Sequence, residues 1–177
     1  MRVLLEDLEL LLKAGTILDA TIITAPKSMK HAAQTRDPAV KQTRKGNQWS
    51  FGMQVHVRSD TRGIVHTVTT TAAATADIMQ LDDVLHGQER VRFGDQACGK
   101  QADRPHWEAS GGVYRINRRD KRTANRDRIY RTRSRTWCRV ERILRVVQRW
   151  WGFTTVWYRG LANNTTRVPT TFAVATL

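Results

Sequence analysis

Apolar and polar positions alternate with a period of two in five stretches of the chain, and recur at helical spacing in four others. Gly15 to Pro26, GTILDATIITAP, is dense in β-branched residues and reads as a buried strand with one acid, Asp19, at its centre. Gln48 to Arg58 puts Trp49, Phe51, Met53, Val55 and Val57 on one face, and Gly63 to Thr71 follows after the turn Ser59 to Gly63, so the two predict an antiparallel hairpin. Arg90 to Asp95 and Gly112 to Asn117 predict two further short strands. Leucines at 4, 5, 8, 10, 11 and 12 predict a helix over Met1 to Ala14 that Gly15 ends. Ala72 to His86 predicts a second, with Ile78, Leu81, Val84 and Leu85 as its stripe. Val140, Leu144, Val147 and Trp151 predict a third from about Arg139 to Trp151, stopped by Gly152. Phe153 to Tyr158 suits a short strand, and a last helix begins at Gly160 and is expected to break at Pro169. Lys27 to Asn47 reads as a long polar loop, and Gln96 to Glu108 shows no pattern.

Charge sharpens this picture. The chain has 177 residues, a net charge of +14 and a pI near 11, which points to a polyanionic partner such as nucleic acid. Fourteen Arg or Lys lie between Arg115 and Arg149 against Asp120, Asp127 and Glu141. Such a block serves either as a solvated face or as a phosphate contact, and its arginine bias favours the second. No apolar run approaches the 18 or so residues that span a bilayer, and the basic segment lacks an apolar face before about Val140, which argues against membrane-surface binding. Cys98 and Cys138 are far apart, so neither a disulfide framework nor a zinc site is indicated, and a reduced compartment is expected. His56 and His66 are expected near each other across the hairpin, where half-buried structural histidines are the commoner outcome than a metal pair.

The acids carry the candidate chemistry. Asp19 sits on an apolar strand, where a carboxylate is costly unless a cation, a metal or a donor answers it. Either it accepts backbone N–H bonds, or it is one ligand of a site. Asp95 ends the fourth strand and Glu141 lies on the late helix. Two-metal phosphodiester chemistry needs carboxylates from such rigid, converging elements.

The blocks GTILDATIITAP, RDPAVKQTRKGNQWSFGMQVHV (Arg36 to Val57), GIVHTVTTTAA, RFGD and WGFTTVWYRGLANNTTRV (Trp151 to Val168) together resemble the DDE transposases of bacterial insertion sequences, in particular the IS-five family. The resemblance runs from about Leu10 to the C-terminus. It implies an α/β, ribonuclease-H-like fold with a mixed five-stranded sheet flanked by helices. It also implies DNA strand cleavage and transfer at two Mg²⁺ (or Mn²⁺) ions held by Asp19, Asp95 and Glu141, with the transposon ends and target DNA as partners. A homo-oligomer in a bacterial, cytoplasmic and nucleoid-associated setting follows from the same family. Arg44, Lys45, Arg118, Arg119, Arg139, Arg142, Arg145, Gln148 and Arg149 are the residues expected to face DNA. Three positions depart from the family pattern. Gln96-Ala97-Cys98 stands where an aromatic Tyr follows the GD motif, and Trp137 and Gln148 stand where basic residues precede and follow the helix glutamate. Residues 1–14 are expected to be the residual helix of a missing N-terminal domain, and residues 15–177 the catalytic domain. A truncated or degenerate copy is therefore one expectation, and a non-catalytic, basic DNA-binding remnant is the alternative.

Overall fold

Two-residue periodicity and β-branched content turn the expected strands into one mixed sheet. The computed structural model describes residues 2–10, 15–26, 37–45, 47–75, 89–94, 103–116 and 125–176. Its strands are β1 (Gly15–Thr24), β2 (Lys41–Lys45), β3 (Gln48–Asp60), β4 (Val65–Ala72), β5 (Val91–Gly94) and β6 (Val113–Ile116). Its helices are α1 (Arg2–Asp7), α2 (Asp103–Ala109), α3 (Asn125–Arg149) and α4 (Leu161–Thr176).

β1 is central. It pairs antiparallel with β3 over Thr16↔Asp60 to Thr24↔Gly52, and parallel with β5 over Gly15↔Val91 to Leu18↔Gly94. β6 extends the parallel half. The far edge of β3 is shared: β2 takes its first residues and β4 the rest. The ribonuclease-H-like arrangement expected from the sequence is present, with six strands among the described residues instead of five. The additional strand is β2, KQTRK, which lies within the stretch read as a polar loop. A short, highly charged edge strand buries almost nothing, so it carries no hydrophobic signature.

Ile17, Asp19, Thr21 and Ile23 of β1 share a face with Met53, Val55 and Val57 of β3, their register partners or neighbours. On that face α3 lays down Val140, Leu144 and Val147, and α4 adds Val168 and Phe172, making one apolar core with Phe93, Phe153 and Val156. The Phe153 and Phe172 rings meet edge to face at 6.4 Å. Gly52 is forced by close approach: a Cβ there would collide with the Ile23 carbonyl of β1.

Several boundaries differ from expectation. α3 begins at Asn125, not near Arg139, so much of the basic segment is helical. Arginine is a good helix former, and the register that Val140 to Val147 bury extends backward without needing more apolar residues. α4 runs through Pro169 without a break. Val168 and Phe172 are buried on either side of that proline, and their packing outweighs the one backbone hydrogen bond it removes. Phe153 to Tyr158 contributes only an isolated parallel bridge, Thr24↔Thr155, and α2 lies in the stretch without pattern. α1 is shorter than the 14 residues anticipated. It docks on β4 with Leu5 buried, and the Arg62 guanidinium donates to the Leu10 carbonyl. The helix expected over Ala72 to His86 does not start at Ala72, which ends β4 in a turn through Thr75 closed by the Thr75 N–H on the Ala72 carbonyl. Its remainder and most of the polar stretch from Lys27 lie outside the described residues.

Candidate active site and basic surfaces

Position along α3 is set by two contacts with the sheet. Near its middle, Arg139 packs against Gly63 and donates to the Thr61 carbonyl, just beyond Asp60, the partner of Thr16. Nine residues later, the Gln148 side-chain amide donates to the Thr21 hydroxyl of β1. The helix thus runs in the same direction as β1 and across it. Glu141 lies two turns before Gln148 on the same flank of the helix, and Asp19 lies one two-residue repeat before Thr21 on the same face of the strand. Both acids therefore border the groove between β1 and α3.

Each carboxylate has a partner. The Ala20 backbone N–H donates to Asp19 Oδ1 at 2.8 Å, and Asp19 is half-buried. Glu141 accepts from the Arg145 guanidinium at 2.7 Å, an i,i+4 pair whose arginine is mostly exposed. Such a surface pair contributes little and exchanges readily. Gly94, the last described residue of β5, stands opposite Leu18, next to Asp19. Asp95 follows it in the chain and lies outside the described residues. Among the described residues, no three His, Cys, Asp or Glu side chains converge as a metal cluster. Asp19 and Glu141 nonetheless supply hard oxygen donors of the kind that suits Mg²⁺ or Mn²⁺, and both are half-buried.

The arginines of α3 occupy the side opposite its core stripe. Arg131, Arg135, Arg142, Arg145 and Arg149 are exposed and follow one another at helical spacing. Arg139 is exposed but bound to the Thr61 carbonyl. Gln148, expected to face DNA, instead spends its amide on Thr21. Arg44 bonds Asn47 at 3.3 Å and stacks over Trp49, while Lys45 belongs to β2. Arg118 and Arg119, like the Gln96-Ala97-Cys98 departure, lie outside the described residues. Trp137 falls on the apolar side of α3 and packs against the core, which accounts for an indole at that position.

The two histidines are not opposite each other in the β3–β4 register. His56 is opposite Thr69, and its Nε2 bonds the Thr71 hydroxyl at 2.8 Å; burial lowers its pKa to about 4. His66 bonds Thr67 beside the bulge at Arg58 and Ser59.

A family model for the transposase DDE domain matches residues 11–177. The chain belongs to that family. No helix among the described residues is long and apolar enough to cross a membrane.

Sequence reasoning missed the Gln148–Thr21 link and two arginine–tryptophan stacks, Arg44 on Trp49 and Arg167 on Trp157. Thr21 was visible on the Asp19 face. Its partner was not, because only the docking of α3 selects it.

Proposed function

We propose that this chain cleaves and joins DNA strands, with Asp19, Asp95 and Glu141 holding two divalent metal ions, Mg²⁺ or Mn²⁺. The observation that supports this most is the placement of Asp19 on the central strand, level with the end of β5 and bordering the groove that Glu141 lines. When bound, the ions act as Lewis acids on the scissile phosphate and on the attacking water or 3′-hydroxyl. The chain's own residues do the positioning. Gln148 and Arg139 fix α3 against β1, so that Glu141 is carried on a rigid element. Arg145 pairs with Glu141, and would be available to phosphate if the carboxylate held a metal instead. Arg142 and Arg149, with Arg44, Lys45, Arg118 and Arg119, provide the sequence-independent backbone contacts that a substrate of this charge needs. Transposon ends and target DNA are the proposed partners. Assembly of two or more copies on nucleoid DNA in a bacterial cytoplasm belongs to the same reading.

The Glu141–Arg145 pair favours one alternative: a domain that binds DNA and does not cut it. The test is nicking of supercoiled plasmid by the purified chain with Mg²⁺ or Mn²⁺, compared with Asp95→Ala. Metal-dependent nicking that Asp95→Ala abolishes supports the catalytic reading. DNA binding that is steeply salt-dependent, indifferent to metal and never accompanied by nicking supports the alternative.

A further inference from the structure

Where α3 ends, the chain turns its largest aromatics outward. Phe153 and Val156 are buried, whereas Trp150 is 82 % exposed and Trp157 59 % exposed. The segment that carries them is firmly held. Gly152, at a φ of 62°, closes the helix with Phe153 N–H donating to the Val147 carbonyl. Thr24 of β1 then bonds both sides of Thr155, donating to the Thr154 carbonyl at 2.9 Å and accepting from Val156 N–H at 2.8 Å. Exposed indoles on a rigid backbone are costly to keep in water, and patches of this kind mark binding surfaces.

One face of the Trp157 ring is already filled. The Arg167 guanidinium lies 3.8 Å from its centroid and 5.4 Å from that of Phe153, and one of its buried nitrogens has no hydrogen-bond partner among the described residues. That cation is therefore committed to the rings and leaves the outer face of the indole open. Trp49 repeats the arrangement, 61 % exposed with Arg44 over one face. It stands three residues beyond Gly52, which pairs with the same Thr24 that bridges to Thr155. The stacked indoles thus share one end of the sheet, beyond the groove that Asp19 borders.

We infer that this end of the sheet, through Trp49, Trp150 and Trp157, is a stacking platform for the bases of single-stranded nucleic acid. Exposed indoles, with arginines behind Trp49 and Trp157, on a chain of charge +14 fit a polyanion whose units are flat rings. A second copy of the chain would bring the same positive charge to the contact. Duplex DNA offers no free base faces except at its ends. The inference requires no metal and does not depend on the proposed chemistry.

The test is a fluorescence titration of the full-length chain in EDTA, with a dT oligonucleotide of roughly 12 nucleotides and with a duplex of the same length. Replacing Trp150 and Trp157 together by Ala is expected to weaken oligonucleotide binding about 10- to 100-fold, since stacking carries most of the sequence-tolerant affinity per base. Duplex binding should change less than about threefold, because backbone charge carries it. The paired Phe substitutions should keep most of the oligonucleotide affinity, which separates loss of stacking from loss of fold. Unchanged oligonucleotide binding in the Ala variant overturns the inference. So does an equal loss for oligonucleotide and duplex, or a loss of self-association by sedimentation with oligonucleotide binding intact. Because EDTA excludes nicking, failure here leaves the proposed catalysis standing, and absence of nicking leaves this platform standing.

Discussion

The face of the sheet that carries Ile17, Asp19, Thr21 and Ile23 and the face that carries Thr16, Leu18, Ala20 and Ile22 bury different chemistry. Under α3 and α4 the first is apolar, with Val55, Val57, Met53 and Phe93 closing around Ile17 and Ile23. Its polar groups are uncharged apart from Asp19: Ser59 and Thr70 are buried hydroxyls there, and Thr21 lies with Asp19 at the groove. The second face buries charge. Arg58, opposite Leu18, is fully buried and lies 3.7 Å from Glu89. Burial lowers its pKa to about 9, although the Glu89 carboxylate pulls the other way. His56 and Asp60 are buried on the same side, and Arg92 stacks at 3.5 Å on Trp107. Buried ionic groups contribute little net stability but are costly to break, so this face resists any single change. The first face carries charge only where it is half-exposed, which is where the candidate acids are.

This contrast breaks most visibly at Glu89. Glu89→Ala removes the carboxylate that faces the Arg58 guanidinium in the interior and should cost about 3–5 kcal/mol in urea denaturation. Replacing both partners, Arg58→Met with Glu89→Leu, should recover most of that loss. If the single and double variants are equally unstable, the pair is not what holds this face.

A pH series comes next. His56 has a folded pKa of about 4 against an ordinary value of 6.5, so the unfolded chain takes up its proton first. Its contribution to stability is complete above pH 6.5 and is lost as pH falls toward 4. The loss is on the order of 3 kcal/mol, the free-energy equivalent of that shift. Denaturation curves of the parent and of His56→Gln should converge over that window. Parallel curves would show that His56 does not titrate between the folded and unfolded states.

The smallest effect belongs to the apolar face. Gln148→Ala removes one hydrogen bond and should cost only about 1 kcal/mol. Nicking should fall more than that stability change accounts for, because Glu141 loses its anchor. A proportionate fall would make Gln148 a structural residue only.

Much of this was legible in the chain because burial on both faces and on one face leave different patterns. β1, β3, β4, β5 and β6 follow from period two, and the C-terminal half of α3 from Val140, Leu144 and Val147. The N-terminal half of α3 was not legible, since arginines that face solvent carry no period. β2 was hidden for the same reason, and α4 was misread at Pro169 because packing by Val168 and Phe172 overrides a local breaker. In the site, Asp19 stood out as a lone acid in an apolar strand, and Glu141 as an acid beside a helix stripe. What was invisible is tertiary: Gln148 on Thr21, Arg145 on Glu141 and the buried charges around Arg58.

The role of Asp19 is the claim on which the functional account depends. Asparagine has the same shape and keeps an oxygen for the Ala20 N–H, so Asp19→Asn should still fold, as circular dichroism and a cooperative melt would show. Its rate of plasmid nicking in Mg²⁺ should fall at least about 100-fold, as loss of a metal-holding charge demands. A folded Asp19→Asn chain that nicks at the parent rate would contradict the account and leave Asp19 a structural acid.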